Sequence, residues 1–484
     1  MREELLSTAM RSGVLLEPRL VDYLATHENP MDRLLEILET VNPRPLVLTL
    51  EEFESLRRVQ PPGQTGPRAE ALDSPPPRPS PGEVHRREYD PEVEILKDIT
   101  GRSTCTGDMK DFARYFEHRY RTLSAMLKRR RELLGAVPIG RAMRMTKEVR
   151  FIGIVQAVKR TRAGHKLLQV EDEKDACQVL IPSTGPVADE NALPDEVIGV
   201  VGRPWKSGII LAEAIVRPEV PPSNAFEGAD VPLCAAFVSD LHVGSRLFLR
   251  ERWAKFIRWT RSQEASRIKY LIVVGDAVDG IGVYPRQDED LELDDVYAQY
   301  EEVSRALEDV PDEVQVIILP GNHDAVRPAE PQPALPPGIQ ELFPDGYIFL
   351  GNPASLRLHG VDVLCYHGRS MDDLVTGLPG MSYDRPLAAM IEMLRRRHLA
   401  PFYGGKTPLA PERWDHMIID TVPSIFATGH VHGLGVGEYR GVKLVNSSTW
   451  QAQTSYQRMH NIVPRPGMVP IVDLQTGEAF VKAF

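Results

Sequence analysis

The chain has 484 residues, of which 42% are hydrophobic and 26% charged, a composition typical of a globular protein with about two to four domains. It contains no apolar run near the roughly 20 residues that span a bilayer and no basic-then-apolar N-terminal stretch, so we expect neither a membrane anchor nor a secretion signal. The net charge of -11 disfavours a coat of nucleic acid, and four scattered cysteines without a CxxC pair indicate a reducing cytoplasm.

Two segments of opposite composition begin the chain. Residues 1–55 predict a small helical domain, because LLSTAMRSGVLL, RLVDYLATHE and MDRLLEILETV carry apolar residues at helical spacing, and Pro18 suits a first helical position. Residues 56–92 include PPGQTGPRAEALDSPPPRPSPGEVHRREYD, which has almost nothing apolar to bury and predicts a disordered, partly polyproline linker. An ordered proline-rich brace is the alternative.

Residues 93–222 predict one long amphipathic helix followed by a small barrel. The helix is DMKDFARYFEHRYRTLSAMLKRRRELL. Short strand-like runs follow it: VRFIGIVQAV, HKLLQVED, CQVLIP, EVIGVVGR and IILAEAIV. This number of short strands favours an OB-fold β-barrel, which serves in binding single-stranded nucleic acid or in assembly, although another small barrel would show the same periodicity.

Residues 230–484 alternate apolar strand runs with helical segments. The strand runs are LCAAFVS, YLIVVG, VQVIILP, VDVLCYH and SIFATG, and the helical segments are RERWAKFIRWTRSQ, DDVYAQYEEVSRALEDV and RPLAAMIEMLRRRH. Alternation of this kind predicts a layered α/β domain.

A polar motif follows each of those five strand runs. The motifs are SDLH (239–242), GDAVD (275–279), GNHD (321–324), YHG (366–368) and GHVH (429–432). Because ligands of layered α/β domains lie beyond the carboxyl ends of the strands, we expect these motifs to meet at one rim. Each motif alone is a weak signal, but chance explains all five in this order poorly.

The residue types in these motifs predict a pair of metal ions. Seven side chains are candidate ligands: Asp240, His242, Asp276, Asn322, His367, His430 and His432. Imidazole and carboxylate groups without thiolate suit Mn²⁺, Fe or Zn²⁺, and seven ligands are too many for one ion with an open position. They suit two ions about 3.5–4 Å apart that share a carboxylate, clamp a phosphoryl group and activate water. Asp276 is the natural bridge.

The order of the motifs resembles the calcineurin-like metallophosphoesterase superfamily. The resemblance implies that one metal ion is held by Asp240, His242, Asp276 and His432, and the other by Asp276, Asn322, His367 and His430. It further implies that His323 contacts the phosphate and protonates the leaving oxygen, while Asp279 orients His323 and raises its pKa. Asp324 is either a supporting group or only a turn residue.

Longer stretches resemble the small subunits of archaeal family-D DNA polymerases. These stretches are SDLHVGS, GNHDAVRPAEPQPAL, YHGRSMDDLV and FATGHVHGLGVGEYRGVKLVNSSTWQAQTSYQ. The resemblance implies a multidomain α/β (α+β) protein, in which a small helical unit and an OB-fold barrel precede a calcineurin-like β-sandwich flanked by helices. It also implies a 3′→5′ proofreading exonuclease with two divalent ions, usually Mn²⁺. The expected partners are the catalytic large subunit, a single-stranded or frayed DNA 3′ end and, through the holoenzyme, a sliding clamp.

Several alternatives remain open on the sequence. The chain could act mainly as a scaffold for the large subunit, or as a stand-alone phosphoesterase such as a break-repair nuclease, which the large region before the first motif disfavours. Residues 327–332 could form one wall of a DNA channel or a rigid surface loop. Residues 395–397 could line a DNA path, although a solvated helix end is favoured. Trp450 and Tyr456 could stack on a base or pack within the protein.

Overall fold

The computed structural model describes residues 15–25, 47–48 and 86–484. The chain divides into two compact units, Met1–Gly66 and Pro67–Phe484. None of the helices in the described residues combines the length and the apolarity needed to cross a membrane.

The first unit contains one of the predicted helices. This helix spans Pro18–Ala25, so the predicted start at Pro18 is confirmed, and it buries Leu20 and Leu24. Strand β1 (Leu15–Leu16), which precedes this helix in the sequence, pairs in parallel with strand β2 (Val47–Leu48), which follows it. The end of the predicted helical run LLSTAMRSGVLL is therefore wrong, because Leu15–Leu16 are held in a strand by pairing with Val47–Leu48. The rest of that run, the third predicted helix and most of the predicted linker lie outside the described residues.

Residues 86–97 pack against the C-terminal part of the chain, although the predicted linker extends to residue 92. Arg86 is buried and donates hydrogen bonds to the main-chain oxygens of Thr260 and Ala265, at 3.0 and 2.8 Å. Thr260 ends a helix, where the last carbonyls have no partner within the helix. Strand β3 (Val93–Lys97) then joins a sheet of the C-terminal domain. The segment therefore differs from the prediction because long-range contacts order a polar stretch.

Five strands form a closed barrel, as the apolar runs in residues 93–222 predict. They are β4 (Val149–Arg160), β5 (Lys166–Glu171), β6 (Ala176–Ile181), β7 (Val197–Pro204) and β8 (Ile209–Val216). The order around the barrel is β4-β5-β6-β8-β7, with β6 and β8 parallel and the other neighbours antiparallel. The long predicted helix spans Met109–Leu127 and packs Leu123 and Leu127 against this barrel.

Two six-stranded sheets form the C-terminal domain. Its strands, besides β3, are β9 (Cys234–Val238), β10 (Ile268–Val274), β11 (Gln315–Leu319), β12 (Ile348–Phe349), β13 (Ala354–Leu358), β14 (Val361–Cys365), β15 (Ile425–Thr428), β16 (Gly435–Tyr439), β17 (Val442–Asn446), β18 (Met468–Asp473) and β19 (Ala479–Ala483). One sheet has the order β12-β11-β10-β9-β18-β19, and the other has the order β16-β17-β15-β14-β13-β3. Apolar side chains of both sheets, such as Phe237, Ile272 and Val363, make one buried layer between them.

Helices cover the outer face of each sheet. In residues 86–484 the α-helices after the first long one are Ile139–Ala142, Arg250–Thr260, Val296–Leu307, Pro337–Gln340, Met371–Gly377, Pro386–Arg396 and Ser455–Met459. Trp253 and Tyr300 belong to the apolar cluster on the outer face of the first sheet, and Met390 and Met393 to that of the second. The three helices predicted between the motif-bearing strands are therefore confirmed.

A buried ion network joins the barrel to the C-terminal domain. Glu196 of the barrel lies 2.7 Å from Arg217 Nε and 3.3 Å from Arg396 Nε, and all three side chains are nearly inaccessible. Burial would raise the pKa of Glu196, but the two guanidinium groups lower it. Arg397 is also buried and donates to main-chain oxygens. Both interpretations are therefore wrong for Arg396 and Arg397, because buried carboxylates and carbonyls hold them, whereas Arg395 is 33% exposed and pairs with Glu392.

Glu196→Ala should destabilise the protein by about 3 kcal/mol, because removing one partner of a buried ion pair leaves desolvated charge behind. The free energy of unfolding in a denaturant titration measures this loss. Glu213→Ala breaks an exposed pair with Arg203 and is the matched control, with an expected loss below about 1 kcal/mol. Equal losses of unfolding free energy in the two variants would contradict the conclusion that Glu196 belongs to a buried ion network.

Candidate metal centre

The five polar motifs meet at one edge of the sandwich. The motif-bearing strands β9, β10 and β11 are parallel neighbours in one sheet, and β14 and β15 are parallel neighbours in the other. Three groups of side chains bring their ligand atoms within 4.8 Å of one another. Two contain only predicted ligands, Asp240 with His242 and His432, and Asp276 with His367 and His430, and the third joins His242 to the predicted catalytic residues Asp279 and His323. The carboxyl ends of strands from both sheets thus supply the groups.

Most of these residues have a left-handed backbone. The residues and their φ angles are Asp240 (52°), His242 (52°), Asp276 (52°), His430 (71°) and His432 (53°). This conformation costs a residue with a side chain about 1 kcal/mol or more, and it persists only where surrounding contacts enforce it. Its concentration in the polar motifs indicates that the turns are built to place side chains rather than to minimise local energy.

Asp240 has one carboxylate oxygen held by the protein and one left open. Its Oδ2 accepts hydrogen bonds from Ser239 Oγ at 2.5 Å and from the main-chain N–H of His430 at 2.8 Å. Its Oδ1 is buried and has no hydrogen-bond partner, and Asn322 Oδ1 is in the same condition. Buried polar atoms are nearly always paired, so these two unpaired ligand atoms in the predicted motifs fit the coordination of metal ions.

His367 is oriented by the main chain. Its Nδ1–H donates to the carbonyl oxygen of Val274 at 3.0 Å, which directs Nε2 toward Asp276 Oδ2 at 3.1 Å. This is the arrangement by which proteins fix the tautomer of a metal-binding imidazole. Burial would lower the pKa of His367, but Asp276 raises it to about 10. Burial would raise the pKa of Asp276, but His367 and nearby imidazoles hold it well below its usual range.

His242 is oriented by a carboxylate. Its Nδ1–H donates to Asp279 Oδ1 at 3.0 Å, and its Nε2 lies 3.0 Å from His432 Nε2 and 3.8 Å from Asp240 Oδ1. Burial would lower the pKa of His242, but the hydrogen bond with Asp279 raises it. The nitrogen atoms of two imidazoles and one carboxylate oxygen therefore converge on a single point, as ligands of one ion do.

Asp279 contacts His323 differently from the prediction. His323 Nδ1–H donates to the main-chain oxygen of Asp279 at 2.7 Å, whereas the Asp279 carboxylate accepts from His242. The pKa of His323 is lowered, because burial outweighs the charge of Asp276. The predicted rise of this pKa is therefore wrong, although Asp279 does orient the ring, through its backbone.

Asp324 supports the ligand turns from behind. Its Oδ2 accepts the main-chain N–H groups of Gly321 and Ala277, at 2.8 and 3.3 Å, and its Oδ1 accepts the hydroxyl of Tyr300 at 2.9 Å. The side chain thereby joins the GNHD turn to the GDAVD turn. Burial raises the pKa of Asp324 to about 6. Of the two roles that the sequence left open, the supporting one agrees with these contacts.

The second half of the proline-rich loop supports the ligand turns from within the protein. Glu330 and Gln332 are each 1% exposed. Glu330 accepts the hydroxyl of Tyr366 at 2.8 Å, beside the ligand candidate His367, and Gln332 Nε2 donates to Gly321 O at 3.0 Å. Pro328 is exposed and Arg327 half-buried, so the channel wall and the rigid surface loop both stay predictions for the first half of residues 327–332.

Sequence reasoning missed further neighbours of the ligand candidates. Asp372 Oδ2 lies 3.4 Å from His430 Nε2, and Gln457 Nε2 lies 2.8 Å from His432 Nδ1. Gln451 donates to the Asp279 carboxylate at 3.1 Å. Asp372 lies within the motif YHGRSMDDLV, and both glutamines lie in the stretch after GHVH, so the only signal for them was the long resemblance.

Comparisons with known proteins agree on one family. Residues 235–432, which contain all the predicted site residues, match the family of DNA polymerase alpha/epsilon B subunits. The DNA polymerase II small subunit of Archaeoglobus fulgidus is 43% identical, with 78% of each chain covered. That of Methanocaldococcus jannaschii is 42% identical and covers 80% of this chain and 68% of its own length. That of Methanothermobacter thermautotrophicus is 36% identical, with 97% and 98% covered.

Binding of Mn²⁺ should release protons. Asp276 raises the pKa of His367 to about 10, so this imidazole holds at neutral pH a proton that a metal ion must displace. The affinity for Mn²⁺ should therefore increase with pH, by about tenfold per pH unit for each proton released. Titration calorimetry in buffers of different ionisation enthalpy counts these protons. The His367→Asn variant should release one proton fewer than wild type when Mn²⁺ binds. A Mn²⁺ affinity of the wild type that does not change with pH would contradict the role of His367 as a metal ligand.

Proposed function

The chain belongs to the family of archaeal DNA polymerase II (family D) small subunits, and we propose that it supplies the 3′→5′ exonuclease of such a polymerase. The observation that carries the proposal is the convergence of the predicted imidazole and carboxylate ligands at one edge of the sandwich, where Asp240 Oδ1 and Asn322 Oδ1 are buried without hydrogen-bond partners. Unpaired buried polar atoms also occur elsewhere in the described residues, for example at Ser124 and Thr407, so the proposal depends on the convergence of imidazole and carboxylate groups, which a scaffold does not need.

The two groups of side chains suit two divalent ions. One ion would be held by Asp240, His242, Asp276 and His432, and the other by Asp276, Asn322, His367 and His430. Nitrogen and oxygen donors without thiolate agree with Mn²⁺, the ion that the family resemblance implies. When bound, such a pair neutralises charge on the phosphate and activates water for attack on phosphorus.

His323 is placed to act as the general acid. Its Nδ1–H is bound to Asp279 O, so Nε2 is the nitrogen that faces the site, 4.0 Å from Asp276 Oδ2. Its side chain is 16% exposed, so a substrate can reach it. As water attacks the terminal phosphodiester, the bond from phosphorus to the 3′ oxygen breaks, and His323 gives its proton to that oxygen. The negative phosphate would raise the lowered pKa of His323 when the substrate binds.

The remaining parts of the chain suit attachment to a polymerase. We assign the sandwich to the calcineurin-like type and the closed barrel to the OB type, and we retain the predicted domains 1–55, 93–222 and 230–484. The catalytic large subunit is the proposed partner, with DNA and a sliding clamp reached through the holoenzyme. The ion network at Glu196 fixes the barrel to the sandwich, so a partner bound to the barrel would keep a constant position relative to the metal centre.

His323→Ala should lower kcat by about 10²–10⁴-fold on a mismatched primer with Mn²⁺, because it removes the general acid. Shortening of the DNA, with and without the large subunit, is followed on gels. Calorimetry should show that this variant still binds Mn²⁺, whereas His367→Ala should lose both activity and metal affinity. Wild-type protein that leaves the 3′ end intact even with the large subunit present would refute the exonuclease.

A further inference from the structure

The short helix Ser455–Met459 is attached directly to the metal centre. Thr454 and Gln457 form a capping box at its start, so the turn has a defined conformation. The same Gln457 is buried, with Nε2 at 2.8 Å from His432 Nδ1. Residues on this helix therefore have fixed positions relative to a ligand candidate.

Tyr456 of this helix presents an aromatic ring to solvent. The side chain is 58% exposed, in contrast to Trp450, which is 1% exposed and packs at 4.7 Å against Trp253. The ring of His460 lies 4.2 Å from the Tyr456 ring at an interplanar angle of 34°, and His460 Nδ1–H donates to Tyr456 O at 2.9 Å. The tyrosine is thus held in place from one side, so binding a further ring would cost little conformational entropy.

Tyr456 lies on the side of the centre that carries His432. It directly precedes Gln457, whose Nε2 lies 2.8 Å from His432 Nδ1. The exposed ring is therefore one residue away from a side chain that contacts a ligand candidate.

The surrounding stretch is free of acidic residues. Residues 439–472 contain no Asp or Glu, in a chain that has 68 such residues and a net charge of -11. Arg458 and Arg465 are exposed in this stretch, and the main-chain N–H of Arg465 donates to His432 O at 3.0 Å. The exposed arginines of this stretch are therefore cations available to a polyanion on the side of His432.

We propose that Tyr456 stacks on the 3′-terminal base of single-stranded DNA, with Arg458 and Arg465 beside the backbone. The inference rests on the exonuclease function proposed above and names the feature of the substrate that the site reads. An exposed aromatic ring with neighbouring cations is the combination that binds single strands without regard to sequence. A terminal base can leave its own helix to stack on a protein ring only when it is not firmly paired, so Tyr456 selects frayed and mismatched ends.

Binding without hydrolysis tests this proposal. Fluorescence anisotropy of 5′-labelled oligonucleotides is measured with the full chain in EDTA and low salt, comparing a normal 3′-terminal nucleotide with an abasic one. Wild type should bind the normal end about tenfold more tightly, the usual size of one stacking contact. Tyr456→Ala should bind both oligonucleotides equally, and Tyr456→Phe, which keeps the ring, should retain the difference.

Tyr297→Ala is the matched control, because it removes a comparably exposed tyrosine, 53% accessible, from the helix Val296–Leu307. It should discriminate as wild type does. The proposal is overturned if wild type shows no preference, if Tyr456→Ala keeps it, or if Tyr456→Ala weakens only association with the large subunit. Failure of the exonuclease itself would appear in the Mn²⁺ cleavage assay, which is independent of this binding difference.

Discussion

The carboxylate of Asp276 is the point on which the two halves of the metal centre depend. Its Oδ1 accepts the main-chain N–H of His323 at 2.8 Å, and its Oδ2 lies 3.1 Å from His367 Nε2. One side chain thereby fixes the GNHD turn of one sheet and faces the YHG turn of the other. Gly321 is required beside it, because a Cβ there would lie 2.2 Å from Asp276 Oδ1. Because two turns approach this buried carboxylate so closely, a residue without a Cβ is required at position 321.

Strain in the ligand turns is sustained by the packing around them. Left-handed backbone at Asp240, Asp276 and His432 costs about 1 kcal/mol or more at each residue. Charge-assisted hydrogen bonds offset part of this cost, since ionised carboxylates such as Asp240 accept main-chain N–H groups in a buried site. The apolar layer between the sheets holds the strand ends in register, so the turns cannot relax separately. Unpaired ligand atoms and strained turns therefore persist only because both sheets are complete.

Local patterns in the sequence were enough to predict much of the fold and the gathering of the motifs. Apolar runs of strand length predicted the motif-bearing strands, such as β9 and β10, because these strands are buried on both faces, and they also predicted the barrel strands, which carry buried residues along one face. Contacts between distant segments were not predictable in this way. The sequence does not reveal that Arg86 satisfies carbonyls at a helix end, that Glu196 holds Arg396, or that Asp279 meets His323 through its backbone. Each of these depends on which polar group faces another across the folded chain.

Contacts between distant segments, rather than local sequence patterns, also decide which basic residues of this acidic protein DNA can reach. The run at residues 395–397 is the more obvious basic motif in the sequence. Arg396 of this run is nevertheless buried, and the carboxylate of Glu196 lies against it. Residues 439–472 contain no such run, but their exposed arginines stand in a stretch without carboxylates. A positive potential at a surface depends on which charges remain unopposed and solvated, rather than on how many basic residues are adjacent in sequence. The exposed arginines of this stretch are therefore positive charges that DNA can reach on the side of His432.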